Sequence, residues 1–186
     1  MRLTLRACRE RFGLRNVPEG QVRVMSPGAK GAVRWAVAAD ARAVHRLAGE
    51  LAETLGDKPP DFAAFRERLL ELLDEPRAGV LVAEGEEGVA GAATLWIKPD
   101  LAHGDVVVEV PMLVVSSVAR RRGVGKLLVD EIRGVAAAEG ATLIELIATS
   151  DNTNARSFYR SLGFVETDHV SLEFVGDMQD PPDPKE

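Results

Sequence analysis

Residues 105–139 set the tightest limits on the fold. "DVVVEVPMLVV" (105–115) reads as a long strand, "SSVARRRGVG" follows it, and an apolar helical rhythm then runs towards Gly140. Proline has no N–H to give to a ladder, so Pro111 demands an unpaired or bulged point in mid-strand. Arg120, Arg121 and Arg122 stand directly before Gly123 and Gly125, where the helix begins. A helix N-terminus exposes unpaired N–H groups and the positive end of its dipole, so this junction suits an anion. The glycines remove side chains that would obstruct phosphate oxygens, and the arginines add charge beside them. The spacing predicts a helix from about Gly123 to Glu139, with Val124, Leu127, Leu128, Ile132 and Val135 inward and Gly140 as its stop.

Two familiar phosphate grips do not fit. The dinucleotide fingerprint needs a third glycine at the right spacing, and none is there. A Walker loop needs Gly-Lys-Ser/Thr, but Lys126 is followed by Leu127, and no hydroxyl is supplied for magnesium. A strand–R-x-x-G-x-G–helix unit remains.

The other elements surround this unit. "AVRWAV" (32–37) alternates, with Val33, Trp35 and Val37 on one strand face. Asp40 is placed to cap a helix carrying Val44, Leu47, Ala48, Leu51 and Leu55, and Asp61 a second carrying Phe62, Phe65, Leu69, Leu72 and Leu73. "GVLVAE", the turn "GEEG" and "VAGAATLWI" read as a hairpin, and "KPDLAHG" as a loop. "TLIELIA" (142–148) reads as a buried strand, "ARSFYRSL" as a short helix ended by Gly163, and "VSLEFV" as a last strand. The order β-α-α-β-β-β-α-β-α-β is a mixed α/β layout, a central sheet covered by helices.

Composition narrows the class. The chain has 186 residues and a formal net charge of −6, which argues against nucleic acid as the main partner. No apolar run approaches a membrane span. One cysteine, Cys8, excludes an internal disulfide framework and a multi-cysteine metal site, and a reducing, cytoplasmic setting is expected. "LRAC" (5–8) resembles a lipoprotein cleavage box, yet no adequate apolar segment precedes it, so no secretory signal is expected. Residues 1–34 carry eight Arg or Lys against Glu10 and Glu19, leaving −12 for the remainder. Residues 1–30 read as a basic, loosely ordered extension in which Met25 is an alternative start, and 177–186 as a disordered acidic tail. The domain proper is expected at 31–176.

"LVVSSVARRRGVGKLL" resembles the acetyl-CoA loop of the GCN5-related N-acetyltransferase (GNAT) superfamily, with Arg120, Gly123 and Gly125 on its fixed positions. "SDNTNARSFYRSLGF" resembles the superfamily's later segment, with Asn152, Ala155, Tyr159, Gly163 and Phe164 in register. Each feature has a plainer explanation by itself: a solvated arginine face, a helix stop, a core aromatic. Two motifs at the right separation make the resemblance.

The resemblance implies a GNAT fold, a mixed and mostly antiparallel sheet flanked by helices and splayed between its fourth and fifth strands. It implies acetyl-CoA as co-substrate, held by Leu113, Val114, Val115, Arg120, Arg121, Arg122, Gly123, Val124, Gly125, Lys126, Asn152 and Tyr159, with no metal. Pantetheine would fill the splay like an added strand, and backbone N–H groups at Met112–Val115, freed where Pro111 disturbs pairing, would stabilise an oxyanion. Tyr159 is the candidate general acid for the departing thiolate, and Glu109 the candidate base working through water. A solvent-facing strand residue is the alternative for Glu109, and His103 is a weaker candidate base. Glu50, Glu53 and Asp57, in "GELAETLGDKPPD", suit a cationic amine, although caps and solvated faces account for them equally well. The implied activity is acetyl transfer to a primary amine of a small molecule, the layout looking like the acetyltransferases of aminoalkylphosphonates or aminoglycosides. A protein N-terminal amine is the alternative acceptor, and a non-catalytic acyl-CoA-binding module the alternative class. The resemblance also admits a homodimer.

Overall fold

The computed structural model describes residues 32–172. The basic head, with Cys8 and Met25, the acidic tail and residues 173–175 of the expected last strand lie outside the described residues, and 170–172 are not in a strand. The chain divides into two units between Ile147 and Ala148.

In the first unit, β1 (Val33–Trp35), α1 (Ala41–Leu55), α2 (Phe62–Asp74), β2 (Ala78–Gly85), β3 (Gly88–Asp100), β4 (Asp105–Val115), α3 (Val124–Ala138) and β5 (Leu143–Glu145) follow one another. The strands form one sheet in the order β1-β2-β3-β4-β5, antiparallel except for the parallel pair β4–β5. This is the expected mixed α/β layout. Both faces of β2 are covered, which is why it reads as an unbroken apolar run. Val80 and Val82 pack with Val44, Leu47 and Leu69 of α1 and α2, while Leu81 and Ala83 pack with Val124, Leu128 and Ile132 of α3. Among the described residues no helix is long and apolar enough to cross a membrane.

The proline in β4 does what its chemistry requires. Thr94 pairs with Met112 and Trp96 with Glu109, so Leu95 faces two residues, Val110 and Pro111. The extra residue is a β-bulge, and it inverts the alternation of the strand. Before it, Val108 and Val110 pack towards α3; beyond it, Leu113 and Val115 take that side, and Met112 and Val114 turn to α1 and α2.

Several expectations need correction. Asp61 caps α2 by accepting from the amides of Ala63 (2.9 Å) and Ala64 (3.0 Å), but Asp40 does not cap α1. Arg34 claims both its oxygens, at 2.7 and 2.8 Å, and holds its carboxyl below the usual range against the opposing effect of burial. Val37 lies beyond β1 and is exposed, as is Leu55 at the end of α1. Lys98–Asp100 extend β3 instead of opening the loop, and β5 is three residues long with Leu143 half exposed, not a buried strand.

The helix α3 comes close to the sheet because Gly91 has no side chain. A Cβ there would meet Val124 Cγ1 at 3.0 Å, the Val114 carbonyl at 3.1 Å and Leu128 Cδ1 at 3.2 Å. Gly91→Val is therefore expected to destabilise the fold by about 1–3 kcal/mol through overpacking, read as a lower urea midpoint. An unchanged midpoint would show that the first turn of α3 yields freely.

Candidate active site

The bulge decides which amides of β4 are free. Ser116 donates its N–H to Ala90 O at 2.8 Å, so by strand alternation the amides of Val114 and Met112 also point to β3. Those of Leu113 and Val115 point the other way. On that side, among the described residues, β4 pairs with β5 through Val107–Glu109 and no further. The expected set of open amides at Met112–Val115 thus narrows to Leu113 and Val115. Val114, named as a cofactor contact, has its backbone committed to β3 and its side chain buried.

Past Val115 the chain turns through Ser117–Ala119 into the arginines. Arg121 has φ of 61° and Gly123 φ of 85°, two left-handed residues within three positions. Such alternation curls successive N–H groups inwards, and only glycine adopts it without cost. Gly123 is the N-cap of α3 and offers no side chain to cap it. Leu127 N–H takes the Gly123 carbonyl at 3.0 Å, so Val124, Gly125 and Lys126 present amides that have no intrahelical acceptor. The arginine run is less free than its sequence suggests. Arg120 folds back, its Nε donating to Val115 O at 3.3 Å, and Lys126 is paired with Asp130 at 2.5 Å. Arg121 and Arg122 are exposed. A groove of about 1180 Å³ runs between this junction and the β2–β3 turn, with Arg122, Gly123 and Lys126 in its wall.

The candidate acid–base residues have distinct surroundings. Glu109 bonds Lys98 Nζ at 2.8 Å, and Lys98 also reaches Glu145 at 3.3 Å, a bridge across β3, β4 and β5. Glu109 foremost, with Glu145, holds the Lys98 ammonium above its ordinary range. His103 sits on the exposed turn after β3, its Nδ1 2.6 Å from Asp100, which raises its pKa. A turn contact accounts for it. Glu53 and Asp57 are exposed, whereas Glu50 accepts from Ser116 Oγ at 3.1 Å and from Ser117 N–H at 2.7 Å.

The second unit holds α4 (Thr153–Ser161). Asn152 caps it, Oδ1 accepting from Ala155 N–H at 3.0 Å, which occupies the oxygen of a residue expected to touch the cofactor. Tyr159 lies against Phe158 and Phe164, with ring centroids 5.1 and 5.5 Å away. Burial pushes its hydroxyl up to about 12. Gly163, at φ 86°, reverses the chain so that Phe164 N–H returns to Tyr159 O at 3.1 Å. That reversal is the physical content of the Tyr–Gly–Phe spacing.

Residues 32–164 match the model of the acetyltransferase (GNAT) family. The chain belongs to this family. Mycothiol acetyltransferase of Beutenbergia cavernae is 37% identical over 73 residues, 39% of this chain and 23% of that protein, so the chain spans a minor part of that relative. A transcriptional regulator from Bacillus halodurans shares the fold at TM-score 0.71 and 21% identity, over 78% of this chain and 99% of that one. An aminoglycoside acetyltransferase from an uncultured soil metagenomic sample, solved with sisomicin, does so at TM-score 0.68 and 20% identity, over 80% and 97%. At such identities the two structures speak for the fold alone.

The family generally uses acetyl-CoA, and the junction of β4 and α3 is chemically suited to its pyrophosphate. Gly125→Val would set a branched side chain among the three open amides. Acetyl-CoA affinity is expected to fall about tenfold or more for each charge-assisted hydrogen bond lost, with the melting temperature nearly unchanged. Calorimetric titration of the folded variant checks this, and wild-type affinity would remove the junction as an anion cradle. Loss of Arg121 or Arg122 alone should cost less, because the helix end remains.

Proposed function

We propose that this GNAT acetyltransferase moves the acetyl group of acetyl-CoA to a primary amine of a small molecule. The observation that carries the reading is the uncapped start of α3, curled by Arg121 and Gly123, directly beyond a strand whose Leu113 and Val115 amides are open. The pyrophosphate would sit on Val124–Lys126 and the pantetheine chain along β4. The Leu113 and Val115 amides are the available donors to a thioester oxyanion.

The neutral amine attacks the thioester carbonyl, a carbon–nitrogen bond forms, and the carbon–sulfur bond breaks. The amine gives up a proton, for which Glu109 acting through water is the proposed acceptor; taking it would mean loosening the Lys98 pair. Tyr159 returns a proton to the thiolate. A phenol at about 12 gives its proton to a thiolate whose acid lies near 8.5 uphill by about 5 kcal/mol. The hydroxyl therefore acts first as a hydrogen-bond donor to sulfur, and the transfer completes late, as the bond breaks. The same pKa keeps the phenol protonated throughout the neutral and mildly alkaline range.

Support for a small amine comes from similarity. One relative, over 39% of this chain, is a mycothiol acetyltransferase. Exposed Glu53 and Asp57 are compatible with a cationic acceptor. A cytoplasmic setting fits an acetyl-CoA-dependent reaction.

Tyr159→Phe tests the mechanism. The ring stays packed and the proton is lost, so the single-turnover rate with acetyl-CoA and a panel of small amines should fall roughly 10²–10⁴-fold. The acetyl-CoA Kd should hold. A near-wild-type rate would eliminate Tyr159 as the acid, and thiol release with N-terminal peptides but no small amine would move the acceptor to proteins.

A further inference from the structure

Glu50 stands out because its contacts leap across the chain. It lies on α1, yet Oε1 takes the hydroxyl of Ser116 and Oε2 the amide of Ser117, 66 and 67 residues away. Ser116 is buried and is the last residue the sheet holds, through its own N–H to Ala90 O. Ser117 opens the short turn Ser117–Ala119, and Ala119 N–H closes back on Ser116 O at 2.8 Å. Ser116 stands at the cap position of that turn but makes no cap bond with its own side chain. Glu50 supplies the missing acceptor from another element. Just past the turn, Arg120 Nε donates to Val115 O at 3.3 Å.

We propose that Glu50 is a positioning residue for acetyl-CoA: it clamps the point where the chain leaves β4 and so sets the pyrophosphate-binding amides of α3. The proposal rests on the acetyl-CoA reading above. It replaces the expectation that Glu50 meets the amine, since both its oxygens are already engaged. Arg121, in left-handed backbone, and Gly123 follow within six residues of the clamp, so a small shift at Ser117 redirects the N–H groups beyond them. A carboxylate is suited to this place, because hydrogen bonds to an ionised acceptor are about twice as strong as neutral ones.

On the acetyl-CoA reading the loop beyond Ser117 would meet the pyrophosphate and β4 the pantetheine arm, which makes the role separable from general support of the fold. Wild type, Glu50→Ala and Glu50→Gln are compared by calorimetry with acetyl-CoA, by ligand-observed NMR with S-acetylpantetheine, which lacks the pyrophosphate, and by thermal melting. Glu50→Ala is expected to weaken acetyl-CoA about ten- to hundredfold while S-acetylpantetheine stays within about twofold. Glu50→Gln, which keeps an oxygen for Ser117 N–H and offers an amide to the Ser116 hydroxyl, should recover most of the loss. Unchanged acetyl-CoA affinity in folded Glu50→Ala would overturn the proposal. Equal loss of both ligands, tracking the melting temperature, would overturn it too and leave Glu50 a structural tie. Failure of the wild type to bind acetyl-CoA would overturn the cofactor reading and this proposal with it, whereas tight binding by wild type and variant alike would overturn the proposal alone.

Discussion

One additional residue in β4, at Val110–Pro111, governs the chemistry available to this chain. Proline cannot donate to the ladder, and the bulge that absorbs it exchanges the faces of the strand. Without that inversion Leu113 and Val115 would point their side chains at α1 and α2, and the core would be mispacked on both sides. The pairing with β5 stops at Glu109, immediately before the bulge. From there to Val115 the strand keeps its β3 partner, and among the described residues its alternate amides are open on the other side. A sheet edge of this kind is costly unless something completes it, and an extended ligand with carbonyl acceptors does so.

Electrostatics at the neighbouring junction depend more on backbone than on the arginine run. Arg120 spends its Nε on a carbonyl and Lys126 spends its charge on Asp130. The uncapped amides of α3 and the dipole behind them remain, and these are fixed in direction in a way that long side chains are not. Gly91 matters for the same reason: by admitting the first turn of α3 against β3, it fixes where those amides stand. The stretch Arg120–Lys126 is locally cationic in a chain whose net charge is −6, which favours an anion at the start of α3.

Features that depend on a residue's own covalent chemistry were legible in the sequence. Pro111 announced its bulge, Asp61 its cap, and the glycines at 140 and 163 the ends of their helices. Features that depend on who stands opposite were not. Asp40 has the look of a cap, and only the folded chain shows that Arg34 of β1 takes it. Glu109 has the look of a free strand carboxylate until β3 and β5 bring Lys98 and Glu145 alongside. Glu50 read as part of an acidic mouth because nothing near it in sequence hints at Ser116. The length of β5 was overestimated since an apolar run does not reveal how far its neighbour stays in register.

Backbone amide shifts of ¹⁵N-labelled protein during titration with acetyl-CoA test the shared design of strand and helix most directly. The amides of Leu113 and Val115, together with those of Val124, Gly125 and Lys126, should move most as the ligand binds. Those of Met112 and Val114, bonded to β3, should move far less. Shifts that spare the start of α3, or that fall on Met112 and Val114 instead, would contradict the account.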